Sequence, residues 1–240
     1  MKMADMKTCN ACPIRHRAVC AHCDPAELLL LEGMKTYRTY VAGDTILWRG
    51  EPLTFVASLV GGVASLSRTL EDGRTQTVGL LLPSDFIGRP GRAQIDFDVI
   101  AMTNVTLCCF AREPFERLIA ETPHVAQRLL ELALDELDAA RDWMLLLGRK
   151  TAREKVATFV SMVVRRSRIA GPVDADAPVH LPMTRDQIAN YLGLTLETVS
   201  RQFSAMKKDG ILDASARSRM IVLDPSRLKA ATGDDAEGAL

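Results

Sequence analysis

Six cysteines are the residues of this sequence best suited to chemistry, and four of them lie close together near the N-terminus. They form the pattern C-x2-C-x7-C-x2-C, which begins at Cys9 and ends at Cys23. No signal-peptide pattern precedes them and no apolar run approaches the length of a membrane span. We therefore expect a cytoplasmic protein without a membrane partner, whose thiols stay reduced and favour a metal site over disulfides.

The spacing leaves the kind of metal site open. Structural zinc can take all four N-terminal cysteines, or three of them with His16 or His22, although seven residues between two pairs is short for a zinc ribbon. An iron–sulfur cluster can instead take three cysteines and draw its last ligand from elsewhere. Cys108 and Cys109 are candidates for that ligand, but they follow each other in a predicted strand and so face opposite ways.

A second chemical pattern lies near the C-terminus, in a predicted helix from Leu196 to Lys208. Glu197, Ser200 and Arg201 fall at i, i+3 and i+4 and share one face of it. In a major groove, arginine can pair with guanine O6 and N7, and glutamate can accept from cytosine N4. These three residues therefore predict a base-reading surface.

The elements around that helix predict a winged helix-turn-helix. Thr184 and Gln187 form a capping box at the start of a preceding helix, and Gly193 begins the turn between the two helices. Residues 217–223 predict a small hairpin, the wing, and 171–178 predict a loop. The four histidines form no recognisable catalytic triad, so we expect no enzymatic activity.

The charge distribution agrees with nucleic-acid binding by the C-terminal part. Residues 1–148 hold 15 Lys/Arg against 19 Asp/Glu, a net charge of −4, and residues 149–219 hold 13 against 7, a net charge of +6. The whole chain is neutral. A basic segment attached to a neutral one is typical of a DNA-binding module joined to a sensor. From residue 36 to about 120, short apolar segments between turn signals predict a β-sandwich or barrel.

Residues 124–147 predict a long helix with two apolar stripes. The first stripe has heptad spacing and is called the seam: Ala126, Leu130, Ala133, Leu137, Ala140, Met144 and Leu147. The second is called the packing stripe: Val125, Leu129, Leu132, Ala139, Trp143 and Leu146. One stripe suffices for packing on the helix's own domain, so the seam is predicted to be the dimer interface with a second copy of the chain. The alternative is a core helix buried on both sides.

These motifs resemble the FNR group within the cyclic AMP receptor protein superfamily. Residues 183–201 look like its recognition unit, and residues 144–154 fit the same group. The spacing Cys9-x2-Cys12-x7-Cys20, followed by Cys108, is similar to the cluster ligands of its alphaproteobacterial, FnrL-type members. The resemblance covers about residues 8–224.

The resemblance implies an α+β fold with an N-terminal cyclic-nucleotide-binding-like β-barrel, a long dimerisation helix and a C-terminal winged helix-turn-helix. The expected divisions are a cysteine-rich cluster-binding segment (1–25), a β-barrel sensor domain (26–120), the dimerisation helix (121–148), the DNA-binding domain (149–224) and a C-terminal tail (225–240). Residues 86–92 lack the glutamate and the arginine–serine pair that bind cyclic nucleotides in the superfamily, so we expect no cyclic AMP.

The function that the resemblance implies is oxygen-sensing transcription regulation. A [4Fe–4S] cluster held by Cys9, Cys12, Cys20 and Cys108 would promote dimerisation and binding to a palindrome of TTGAT-type half-sites under anoxia, and oxygen would degrade it. Double-stranded DNA, a second copy of the chain and RNA polymerase are the implied partners. Two alternatives stay open: a regulator of the same fold with structural zinc and a small ligand in the barrel, and an iron–sulfur electron carrier.

Overall fold

A computed structural model of the protein describes residues 8–169, 179–216 and 219–234. The loop predicted at 171–178, the first seven residues of the cysteine-rich segment and the last six of the tail lie outside the described residues. The chain divides into two compact units. One comprises Met1–Leu70 and Thr77–Leu137, and the other comprises Glu71–Gln76 and Asp138–Leu240.

Among the described residues, the first unit is built around eight antiparallel strands. They are β1 (Thr36–Tyr40), β2 (Thr45–Leu47), β3 (Phe55–Gly61), β4 (Ala64–Thr69), β5 (Thr75–Leu81), β6 (Phe86–Ile87), β7 (Asp98–Ala101) and β8 (Val105–Ala111). One sheet has the order β1-β8-β3-β6 and the other β2-β7-β4-β5. The predicted β-structure is confirmed up to Ala111, and β8 is the last strand as expected.

Two helices of this unit were not predicted. Helix α1 (Pro25–Met34) begins at a capping box in which the Asp24 carboxylate accepts from the backbone N–H groups of Ala26 and Glu27, while the Glu27 carboxylate accepts from that of Asp24. Helix α2 (Arg112–Glu121) occupies residues that were expected to be β-structure. Phe115 of α2 is fully buried and stacks on Phe110 of β8, so tertiary packing stabilises a helix of short length.

The long helix α3 runs from Pro123 to Arg149, two residues later at its start than the predicted dimerisation helix. Its packing stripe contacts the chain itself: Val125 and Leu146 are buried, and Trp143 stacks on Tyr191 with 3.9 Å between ring centroids. The seam is largely exposed, with Leu130 61%, Leu137 45% and Met144 66% accessible. In the single chain the helix is therefore not buried on both sides.

The second unit contains the predicted helix-turn-helix. Its elements are α4 (Ala152–Ile169), β9 (Val179–His180), α5 (Arg185–Leu192), α6 (Leu196–Lys208), β10 (Leu212–Ala216), β11 (Arg219–Val222) and α7 (Pro225–Ala230). A hairpin is present as β10 and β11, but it begins at Leu212, five residues earlier than the predicted 217–223, and residues 217 and 218 lie outside the described residues. Strand β9 adds a third strand that was not predicted. Part of the expected tail forms α7, which begins where the Asp224 carboxylate accepts from the Arg227 N–H.

None of the helices among the described residues combines the length and the apolar composition of a membrane span.

Candidate metal centre and nucleic-acid interface

The N-terminal cysteine segment is held in a compact shape by short-range turns and one arginine. Backbone hydrogen bonds connect Cys12 to Cys9 and Cys23 to Cys20, each at 3.2 Å. The Arg15 guanidinium donates to the carbonyls of Cys20 (2.5 Å), Ala21 (2.8 Å) and Cys23 (2.9 Å). Five donors on a rigid fork allow one arginine to fix the backbone at both cysteines of the second pair.

Cys9 and Cys108 are buried in one core cluster of the first unit, and Cys12 and Cys20 pack against that cluster. Burial raises the pKa of the Cys108 thiol, and the charges of Cys12, Cys9 and Cys20 raise it further. Burial also raises the pKa of Cys20 to about 11, with Cys12 and Cys9 as further causes and Arg15 opposing them. The structure thus brings Cys9, Cys12, Cys20 and Cys108 together, which is the set that the family resemblance implied.

Tyr37 and Ser58 lie beside Cys108 on the barrel. Both residues are directly opposite Cys108 in the neighbouring strands, so their side chains share its face of the sheet. Burial raises the pKa of the Tyr37 hydroxyl, and the charges of Cys108 and the three N-terminal cysteines add to that effect. The Ser58 hydroxyl is buried and has no hydrogen-bond partner among the described residues.

The remaining two cysteines lie in different surroundings. Cys109 faces the opposite side of β8, is 1% exposed and lies opposite Thr36 and Ala57 in the adjoining strands. Cys23 is buried, which raises its pKa to about 12, and the charge of Cys20 adds to this effect. The residue pattern left Cys108 and Cys109 equivalent, whereas the family resemblance implied Cys108, and the strand register places the two thiols on opposite faces of the sheet.

The fit of a metal group follows from the spacing of these thiols. Zn–S bonds of about 2.3 Å in a tetrahedral site would hold the sulfurs about 3.8 Å apart. Among the described residues, no three cysteine sulfurs lie within 4.8 Å of one another. Nε2 of His22 lies 3.0 Å from the Glu131 carboxylate, so only Nδ1 of this ring is left as a zinc ligand. Thiolates that bind different iron atoms of a cluster do not have to approach one another as closely as those that bind a single zinc ion.

The predicted base-reading residues lie on one face of α6. The Thr195 side chain accepts from the Thr198 N–H and begins the helix, and the preceding Gly193 adopts the left-handed conformation with φ +62°. Glu197 and Arg201 are exposed and Ser200 is half-buried. Hydrogen bonds from its own backbone N–H and from Thr195 lower the pKa of Glu197, so at neutral pH its carboxylate is an acceptor.

Arg185, at the first position of α5, is a candidate that sequence reasoning missed. Its guanidinium lies 3.2 Å from the centre of the Phe203 ring, and one of its terminal nitrogens is buried without a partner among the described residues. Burial lowers the pKa of Arg185 to about 10. Together with Ser200, Ser204 and Lys207 it lines a shallow pocket on α6. The polar side chains of this lining, two hydroxyls and two cations, suit a phosphate group. The sequence signal that could have identified Arg185 is an arginine at the first position of a predicted helix, where anions commonly bind.

Comparison with known families finds two matches. Residues 37–122 match the cyclic nucleotide-binding domain family, and residues 124–231 match the Crp-like helix-turn-helix domain family. The first match covers the barrel and α2, and the second covers α3 and the elements that follow it.

Individual relatives cover nearly the whole chain. The transcriptional activator protein FnrL of Cereibacter sphaeroides is 56% identical over 97% of this chain and 94% of its own length. The nitrogen fixation regulation protein FixK of Bradyrhizobium diazoefficiens is 41% identical over 92% of each chain. Among solved structures, FixK2 from Bradyrhizobium japonicum superposes with a TM-score of 0.75 at 34% identity, over 85% of this chain and 99% of that one.

Proposed function

The chain belongs to the CRP/FNR superfamily of transcription regulators, and from this membership we propose that it is an oxygen-responsive activator. In this proposal it acts in the cytoplasm as a homodimer, binds a palindrome of TTGAT-type half-sites under anoxia, and contacts RNA polymerase at the promoter. The observation that carries the proposal is the convergence of three N-terminal cysteines on Cys108 of the barrel.

The proposed cofactor is a [4Fe–4S] cluster held by Cys9, Cys12, Cys20 and Cys108. When bound, it supplies an oxygen-labile bridge between the N-terminal segment and the barrel. Lys35 donates to the Cys9 sulfur at 3.5 Å, and its positive charge would offset the negative charge of the thiolates. Buried Ser58 has a free hydroxyl to donate to a sulfur atom at the same site.

The proposed DNA contacts divide between base reading and phosphate binding. Arg201 and Glu197 would read the G·C pair of each half-site, since one supplies two donors and the other an ionised acceptor. Ser200 is short enough to adapt to a base or to a thymine methyl group. Arg185 and Lys207 would bind phosphate, which positions the helix without reading sequence.

The proposed dimer contact is the seam of α3. Leu130, Leu137 and Met144 are large exposed residues in helical register, and a second copy of the same helix would cover them. Ala133 and Ala140 between them are small and would let the two helices approach closely. Leu147, which is half-buried, lies at the end of this contact.

The test is an anaerobic preparation analysed for iron, sulfide and zinc, with visible spectra before and after exposure to air. We expect about four irons and four sulfides per chain, broad visible absorbance that bleaches in air, and binding to the palindrome that is lost with the colour. Stoichiometric zinc without colour would overturn the proposal and favour the zinc-stabilised regulator. Cluster binding without any effect on DNA affinity would favour electron transfer instead.

A further inference from the structure

Polar contacts connect the N-terminal cysteine segment to the first half of α3. The Arg128 guanidinium donates to the carbonyl of Arg17 at 2.6 Å, and Arg17 lies between the two cysteine pairs. The same guanidinium donates to the Glu131 carboxylate at 2.9 Å, and that carboxylate lies 3.0 Å from Nε2 of His22. These groups, the Arg17 carbonyl with His22, Arg128 and Glu131, are called the Arg128 cluster.

The Arg128 side chain is mostly buried and is held by its partners. The Arg128 side chain is only 16% exposed, and its Nε is buried with no partner among the described residues. The Arg128 guanidinium also holds the pKa of the Glu131 carboxyl below its usual value, with His22 contributing. Withdrawal of the Arg17 carbonyl would leave a second part of a half-buried guanidinium unpaired, so the side chain would have to rearrange. Loss of the Arg17 contact would therefore force the Arg128 cluster into a second arrangement.

A change in the arrangement of the Arg128 cluster would act on α3 next to the seam. Arg128 and Glu131 belong to the same helical turn as Leu130, which is part of the exposed seam. We propose that the Arg128 cluster couples the state of the cysteine segment to the geometry of the seam. It does so as a positioning device, because none of its side chains is among the four proposed ligands. The inference rests on the proposed function, which requires the two events to be linked.

The coupling is a thermodynamic quantity that can be measured. If the cysteine segment strengthens dimerisation through Arg128, the dimer dissociation constant is larger without the iron–sulfur cluster than with it. Removal of Arg128 then reduces the ratio of the first constant to the second. The helix also offers a matched control, because Arg141 and Asp138 form an i,i+3 pair at 2.8 Å on the same helix. Both partners of that pair are more than 60% exposed.

The experiment compares full-length wild type, Arg128→Ala, Glu131→Gln and Arg141→Ala. Each is purified anaerobically and assayed for iron and sulfide. Each is then analysed by sedimentation before and after the iron–sulfur cluster is removed with oxygen and chelator. We expect Arg128→Ala and Glu131→Gln to keep the wild-type iron content, while the ratio of the two dimer dissociation constants falls by about tenfold. Arg141→Ala should keep the wild-type ratio.

An Arg128→Ala protein with full iron and an unchanged ratio would overturn the coupling role. An iron-free Arg128→Ala protein would also overturn it, since Arg128 would then serve assembly of the cysteine site. Glu131→Gln keeps the size of the side chain and therefore controls for misfolding. If the wild type holds a cluster but dimerises equally well without it, the proposed function fails first. These results separate failure of the inference from failure of the proposal beneath it.

Discussion

The cysteine centre contains four proposed functional side chains and the recognition helix contains three. The two regions differ in how far apart these residues are in the sequence. Cys20 and Cys108 are 88 positions apart, and a loop and a strand must pack together to bring them into one site. Glu197, Ser200 and Arg201 lie within five consecutive residues of α6, where helical geometry alone places them on one face.

This difference predicts how each region responds to change. A site assembled from distant segments is lost as a unit when one ligand is removed, because the remaining groups cannot close the coordination. A face presented by one helix loses contacts individually, and each loss costs a limited free energy. The seam of α3 is a third case, since it requires a second chain.

The largest expected effect is at Cys108. Cys108→Ala should abolish cluster retention, because it removes the barrel's only proposed ligand, whereas Cys109→Ala should retain iron because Cys109 faces away in the same strand. Iron and sulfide per chain and the visible spectrum measure both. Iron loss in Cys23→Ser with retention in Cys108→Ala would break the comparison, since the site would then be local to the N-terminal segment.

The next effect is at the seam. Leu137→Glu should place an unpaired carboxylate at two symmetry-related positions in a buried contact, which costs several kcal/mol and leaves the anaerobic protein monomeric. Leu145→Glu is the control, because Leu145 is similarly exposed but lies off the seam. Sedimentation velocity distinguishes them. If Leu137→Glu stays dimeric, another surface must form the dimer.

A smaller and more selective effect is expected at Arg201. Arg201→Ala should weaken binding to the palindrome by about 1–3 kcal/mol and relax the preference at the G·C pair. The measurement is anaerobic binding to the palindrome and to a copy in which both G·C pairs are replaced by A·T. Equal losses on the two sequences would make Arg201 a backbone contact and remove the base-reading assignment.

The smallest effect is expected at Lys207, which lies 3.2 Å from Asp213 and lines the Arg185 pocket. Lys207→Ala should weaken all sequences alike and reduce the slope of log affinity against log salt by about 1. Titrations at several salt concentrations measure that slope. A change confined to one base pair would contradict the phosphate assignment.

Local patterns in the sequence determined much of the second unit. The capping box of Thr184 and Gln187, the turn at Gly193 and the bounds of α6 are confirmed as predicted, because each depends on contacts within a few residues. The two stripes of α3 were also visible in the sequence, since a helix converts spacing directly into faces. The α+β fold and the family were predicted from these motifs and are confirmed by the comparisons.

The sequence predicted that the seam is the dimer contact, but only the tertiary structure showed what the packing stripe contacts, since Trp143 meets Tyr191 only in the folded protein. Helix α2 escaped prediction because its stability comes from Phe115 in the barrel core. Packing of the N-terminal segment brought its cysteines to Cys108, which the family resemblance had implied, and not to Cys109 on the other face of β8. The Arg128 cluster was equally invisible, because hydrogen bonds between residues more than 100 positions apart leave no periodic signal in the sequence.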